Sequence, residues 1–262
     1  MKITSPDKQI FANGITKIDV VNYYREIANH MLPYLQGRIL SLVRCPQGTC
    51  KTCFYKKNPD NDEEYYHIST VEELTEQTQL NTIEFHTWGS QMKNKDKPDI
   101  MVFDLDPGPN VTLDSIRQGA TDIRTVLKQL GLESFLKTSG NSGYHIVVPF
   151  NATLNWEVFK AFAKNVAELL ENTHPALYTT NIRKNTRADK IFVDWLRNTK
   201  GATFIAPYSL RIKNPAVSAP ISWNELYKIA PNEVTMEMAL QRVKKKNPWS
   251  DFFEVKSKQF LN

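Results

Sequence analysis

The sequence predicts an α/β (α+β) fold, with a central mixed or antiparallel sheet flanked by helices. Three observations predict it. Short runs rich in β-branched and aromatic residues, DIMVFDLD, ESFLKTS, YHIVVPF, KIFVDWL and ATFIAP, have strand character. Longer stretches with apolar residues at helical spacing lie before and between them. Strands and helices are mixed, several strands being adjacent, which suggests layers packed around one core.

Taken in order, Thr16 followed by Asp19 forms a capping-box pattern. It opens a helix, TKIDVVNYYREIANHML, with Val20, Tyr24, Ile27 and Met31 on one face. Pro33 and Gly37 are expected to stop it, and RILSLVR reads as a strand. After DIMVFDLD, a second helix carries Leu113, Ile116, Ala120, Ile123, Leu127 and Leu130 at helical spacing, with Gly131 suited to its C-terminal cap. A third spans about 156–171, with Phe159, Phe162, Val166 and Leu169 inward. The connector PAVSAP precedes the tail, SWNELYKIAP and onward, which reads as helical after a Ser222 cap. No repeat and no strong boundary interrupts the chain. Residues 1–262 are therefore expected to form a single domain, an N-terminal helix and strand region of about 1–95 packed on a catalytic sheet of about 96–262.

Composition narrows the function classes. The chain has 262 residues, 41% of them hydrophobic and 23% charged, ordinary values for a globular protein. No run approaches the roughly 18 apolar residues of a membrane helix, so no membrane partner is expected. MKITSPDKQIF has no apolar signal core, which makes a cytoplasmic, nucleoid-associated location the expectation. The net charge of +5 is compatible with a phosphate-rich partner without requiring one.

The chemistry begins at VFDLDPG. Residues i and i+2 of a strand share a face, so Asp104 and Asp106 project together while Phe103 and Leu105 turn away. Two adjacent carboxylates repel unless a cation neutralises them. A divalent metal with oxygen ligands, shared with substrate phosphates, suits such a pair; a solvated strand end is the plainer alternative. In KIFVDWLRN, Asp194 follows three apolar residues and is costly to bury alone. Were its strand beside the first, the three carboxylates would converge in the arrangement used for two-metal phosphoryl transfer. KTSGNSGYHIVVP then reads as strand, glycine-containing turn, strand. Its free N–H groups with Ser139, Ser142 and His145 could cradle a polyphosphate, although a plain hairpin turn has the same pattern.

Cys45, Cys50 and Cys53 fall close together in CPQGTCKTC, with His67 the nearest candidate for a fourth ligand. Three cysteines do not complete a zinc site and their odd number argues against a disulfide framework, so a turn of reduced thiols is expected and zinc is not.

VFDLDPG, TSGNSGYHIVVP, IFVDWLRN and APYSLR, in that order, resemble the polymerase domain of ligase D. That domain is the prokaryotic end-joining branch of the archaeo-eukaryotic primase superfamily. SPDKQIF with GITKIDVVNYYREIA resembles the family's opening, and the stretch from SWNEL to NPWSDF its close. The resemblance covers nearly the whole chain and implies a primase-polymerase fold, here as a stand-alone polymerase without fused ligase or nuclease modules. It implies that Asp104, Asp106 and Asp194 hold two manganese or magnesium ions. His86, Ser139, His145 and Arg211 would sit at the incoming nucleoside triphosphate, and Arg187 would be an active-site arginine. Lys8 and Lys17 would hold the 5′-phosphate of a downstream strand. Phe54 and Tyr55 would stack against the template, with Lys57 close by. Where the family often has a lysine this chain has Ser142, which weakens the expected triphosphate contact. The family's priming relatives often carry zinc, and this keeps the cysteine turn in view.

The function expected is template-directed extension of a primer at gaps and ends during non-homologous end joining, with ribonucleotides, manganese and 5′-phosphorylated gaps preferred. Deoxynucleotides, a Ku-like end binder and a separate ligase are the further partners implied. The alternatives are a primase that starts chains unprimed, a two-metal nuclease, and a non-catalytic DNA-end binder.

Overall fold

The computed structural model describes residues 2–57 and 65–261. In chain order its elements are α1 (Lys17–Leu35), β1 (Arg38–Arg44), β2 (Phe54–Lys56), α2 (Val71–Gln79), β3 (Thr82–Gln91), β4 (Ile100–Pro107), α3 (Leu113–Gln129), β5 (Phe135–Thr138), β6 (Tyr144–Pro149), α4 (Trp156–Thr173), β7 (Tyr178–Thr179), β8 (Ile191–Asp194), β9 (Thr203–Ile205), β10 (Pro220–Ile221), α5 (Met236–Val243) and α6 (Phe252–Lys258). They build two sheets, one ordered β2-β1-β3-β9 and the other β10-β5-β6-β4-β8-β7. Every pairing is antiparallel except β7 with β8. The α+β class expected from sequence is the one observed. Because β9 returns to the first sheet and β10 joins the second, the chain passes between the two sheets three times.

The helices follow from their apolar spacing. On α3, Ile116, Ala120, Ile123 and Leu127 are buried, and each large aliphatic side chain so removed from water contributes about 1.5–3 kcal/mol. Gly131 takes φ +74° just beyond the helix, as a C-terminal glycine should. Two stripe assignments shift by a residue. Leu130 and Leu169 are exposed, and on α4 Leu170 points inward in place of Leu169. Pro33 lies inside α1 rather than ending it, and the helix stops at Leu35 before Gly37 at φ +68°. Only a 3₁₀ turn, Trp223–Glu225, forms where SWNELYKIAP reads as a helix.

A buried ion pair joins the sheets. Arg38, at the start of β1, makes two hydrogen bonds to Asp99, at 2.8 and 3.1 Å, just ahead of β4. Lys256 of α6 reaches the same carboxylate at 2.7 Å. Tyr24 of α1 donates to the Ile83 carbonyl at 2.5 Å and accepts from Leu210 N at 2.9 Å, fixing the segment after β9 against β3.

The cysteine turn departs from expectation. Cys45 and Cys53 form a disulfide, and Cys50 is free and exposed. The cause is register: Arg44 of β1 pairs with Phe54 of β2, so the adjacent residues 45 and 53 face each other, with Cα atoms 4.4 Å apart. With those two sulfurs bonded to each other, the turn cannot supply three thiolates. Among the described residues no helix is long and apolar enough to cross a membrane.

Candidate active site

The carboxylates converge because β4 and β8 are neighbours. Asp104 pairs directly with Asp194 across the ladder, and Asp106 follows two residues on. One ligand oxygen from each of the three lies within 4.8 Å of the others. Two local features set this register. Asn198 pairs with the backbone of Val102, accepting from its N–H and donating to its carbonyl, each at 2.8 Å. Gly143 lets the turn after β5 press on β4: a Cβ there would stand 1.8 Å from the Leu105 carbonyl oxygen.

A single row crosses the second sheet. Lys137 pairs with His145, His145 with Asp104, and Asp104 with Asp194. His145 Nε2 lies 3.2 Å from Asp104 Oδ1. Burial draws His145 down to about 4, against the pull of Asp104 and with the help of Lys137, so the ring is neutral. A carboxylate oxygen only accepts, so Nε2 carries the proton and buried Nδ1 is left without a hydrogen-bond partner. Burial also lowers Lys137 well below its ordinary value, and its Nζ rests on Ser218 Oγ at 2.5 Å.

The three acids differ sharply. Burial would raise Asp104, but His145 and Arg197 outweigh it and hold the carboxyl well below the usual range. Arg197 Nε sits between Asp194 Oδ2 at 2.9 Å and Asp104 Oδ2 at 3.6 Å. Asp194 is raised, by burial first and by Asp104, with Arg197 opposing. Asp106 is pushed up to about 7 by burial and by the charges of Asp104 and Asp194. A buried carboxylate cluster with this excess of negative charge fits divalent cations with oxygen ligands.

Both sheets line a cavity of about 450 Å³ beside the cluster. His86 and Tyr55 come from the first sheet, Asp104, Asp106 and His145 from the second, and Ser139, Ser142 and Arg211 from the loops. His86 contacts Glu84 at 2.7 Å, and the same carboxylate holds Arg211 at 3.4 Å. Burial lowers His86 despite Glu84. The turn is not an open cradle: Ser139 Oγ accepts from Asn141 N at 3.1 Å and Gly143 N at 3.3 Å. Those two N–H groups are therefore spoken for, and the Ser139 hydroxyl keeps its proton to donate. Tyr55 and Phe54 are exposed on β2, Tyr55 with its ring 5.9 Å from that of His86, and Lys57 lines the cavity. Arg187 stacks over Phe192 at 4.0 Å, and its charge bears on Asp106.

Lys8 and Lys17 stand away from the cavity. Lys17 N donates to the Lys8 carbonyl at 2.8 Å, which sets the two side by side. Burial and the charge of Lys8 both lower Lys17. Arg197, Lys137, Glu84 and Asn198 escaped the sequence reading. Arg197 and Asn198 left a trace as the polar end of IFVDWLRN, and Lys137 as the first residue of KTSGNSGYHIVVP.

A family model, the LigD primase-polymerase domain, matches residues 16–249. The chain belongs to that family. Relatives of the LigD type include the multifunctional non-homologous end joining protein of Mycolicibacterium smegmatis, 33% identical over 246 residues. Another is the bifunctional end-joining protein of Bacillus subtilis, 32% identical over 273 residues. These matches cover 86% and 97% of the chain but only 32% and 44% of the relatives, so the chain spans less than half of their length. The polymerase domain of Mycobacterium tuberculosis ligase D, solved in complex with DNA, superposes with a TM-score of 0.88 at 29% identity, covering 98% of each chain. As a LigD primase-polymerase domain, the chain is a nucleotidyltransferase.

Proposed function

We propose that this chain extends a DNA primer across gaps and broken ends in non-homologous end joining, with the three carboxylates as the metal-binding centre. The observation that carries the reading is the juxtaposition of those carboxylates on adjacent strands with a polar cavity walled by Arg211, Ser139 and His86. Divalent cations held there would lower the pKa of the primer 3′-hydroxyl and stabilise charge on the transferring phosphate.

The chain's own residues supply the rest. Asp104 and Asp106 would hold the cations, and Asp194 would complete the ligand set on the primer side. Arg211, anchored by Glu84, meets the triphosphate as a charge that is already positioned, and the Ser139 hydroxyl donates to a phosphate oxygen. Neutral His86 and His145 shape the pocket and offer hydrogen bonds without adding charge. Arg187 faces the same site from beside Asp106. Tyr55 and Phe54 offer π-faces to template bases, worth about 1–3 kcal/mol per stacked base, and Lys57 a phosphate contact. Lys8 and Lys17 form a paired cation suited to the doubly charged 5′-phosphate of a downstream strand. The solved relative's complex with DNA supports a DNA partner. The preference for ribonucleotides, the choice of manganese, and the collaboration with Ku and a separate ligase belong to this proposal.

Primer extension on a gapped duplex, with ribo- and deoxynucleotides and each metal in turn, tests it. Asp104→Ala is expected to lower incorporation at least about a thousandfold while leaving DNA affinity within a few-fold. Near-normal extension by that variant removes the metal-centre assignment. Products made on unprimed template would indicate priming, and strand cleavage without pyrophosphate release would indicate a nuclease.

A further inference from the structure

The carboxylates are not equally available to a cation. Asp104 Oδ1 faces His145, and Asp194 Oδ1 accepts from Leu196 N at 3.0 Å. The two remaining oxygens, Asp104 Oδ2 and Asp194 Oδ2, turn towards one guanidinium nitrogen, Arg197 Nε. Asp106, by contrast, has no hydrogen bond or ion pair among the described residues. One half of the cluster thus carries a resident cation and the other half does not.

Arg197 is built to leave. Its side chain is 40% exposed, and it stands on the short 3₁₀ turn Trp195–Asn198. Beyond the carboxylates, its one other side-chain hydrogen bond among the described residues is a long one, Nη1 to the Thr203 carbonyl at 3.4 Å. It lines the same cavity as Tyr55, Lys57 and Arg211, where an incoming strand would bring phosphates. A guanidinium matches phosphate as well as carboxylate, so it has somewhere to go.

We propose that Arg197 is a built-in counter-ion of the metal centre: it fills the space between Asp104 and Asp194, so that a first divalent cation enters on the Asp106 side and a second only once Arg197 has swung away. This rests on the polymerase reading only in naming what would draw Arg197 out. Its consequence for the chain alone is an asymmetric, stepwise affinity for cations. A purely structural role for Arg197, holding Asp194 in place, predicts the opposite effect of removing it.

The test is a manganese titration of the metal-stripped chain, without nucleotide or DNA, followed by calorimetry and by the electron paramagnetic resonance signal of free manganese. The wild-type chain is expected to take up one ion well and a second much more weakly. Arg197→Ala should bind the second ion at least about tenfold more tightly, since one positive charge no longer competes for the same oxygens. Arg197→Gln, which keeps a polar side chain over Asp194, should do the same, and Arg197→Lys should stay close to wild type. Either neutral variant, if it retains the wild-type melting profile, decides the matter. Should both melt differently, the wild-type chain decides it alone: two ions of equal affinity overturn the proposal, and a first ion at least about tenfold tighter than the second supports it. Unchanged or weaker manganese binding in a folded neutral variant overturns it. Failure of the polymerase reading would show separately, as absence of primer extension by the wild-type chain, and would leave this titration intact.

Discussion

At the scale of single residues, the centre is a set of acids with different protonation. Asp106, pushed up to about 7, binds a proton in the folded chain at pH values where the unfolded chain has lost it. A proton on Asp106 competes with a cation, so manganese affinity should fall about tenfold for each pH unit below 7 and level off above it. Titration from pH 5.5 to 8.5 checks this, and a flat profile would refute it. The same acid makes a stability prediction. Between the ordinary carboxylate range and about 7 Asp106 holds a proton in the native state that the unfolded chain has lost, so its own contribution to metal-free stability declines as pH rises through that window, while His145, drawn down to about 4, works in the opposite direction. Asp106→Asn should abolish this decline and raise metal-free stability at pH 8 by roughly 1–2 kcal/mol, allowing for the residue's partial exposure. Denaturant melts with a chelator present measure it. The site would then be stabilised by a substitution that removes a metal ligand, which is the usual conflict between a fold and its functional centre.

At the scale of elements, β2 is the informative piece. It has three residues, pairs with β1 alone and presents Phe54 and Tyr55 outward. The Cys45–Cys53 disulfide closes the turn that leads into it. Replacing both cysteines by serine should cost about 2–3 kcal/mol under oxidising conditions and nothing under reducing ones, the entropy of a short closed loop being what is lost. Chemical melts of both forms with and without reductant read this directly; equal melts in oxidising buffer would count against a formed disulfide. Elements also show what the sequence made legible. α1, α3, α4, β1 and β4 declare themselves by periodicity, and Asp104 and Asp106 by their two-residue spacing. β3 does not, because Glu84 and His86 interrupt its apolar run; they are buried only because they satisfy each other and Arg211. Arg197 and Lys137 likewise acquire meaning from cross-strand register, which no single stretch of sequence states. The cysteine count misled for the same reason: pairing depends on Arg44 lying opposite Phe54, not on how many thiols there are.

At the scale of the molecule, two sheets form the walls of one cleft and the segment carrying Lys8 and Lys17 stands outside its lining. The catalytic wall is acidic, the opposing loops carry Arg211 and Lys57, and the Lys8–Lys17 pair is a separate patch of positive charge fixed by the backbone contact between those residues. Under the proposed function, recognition of a gap would require two readings at once, of a primer end and of a downstream 5′-phosphate, and this separation would supply two places for them. If the patch reads the phosphate, its loss should affect binding and not chemistry. Lys8→Ala with Lys17→Ala is expected to weaken binding of a 5′-phosphorylated gap by about ten- to a hundredfold. Binding of the same duplex with a 5′-hydroxyl should stay nearly unchanged, and the slope of log affinity against log salt should fall by up to about two. Incorporation at saturating DNA should remain close to wild type, because neither lysine lines the cavity. Fluorescence anisotropy with the two duplexes across a salt series makes the comparison. A variant that still prefers the 5′-phosphate would show that the patch serves another purpose and that the end is read elsewhere. A variant that loses turnover but not the preference would place these lysines in the catalytic step.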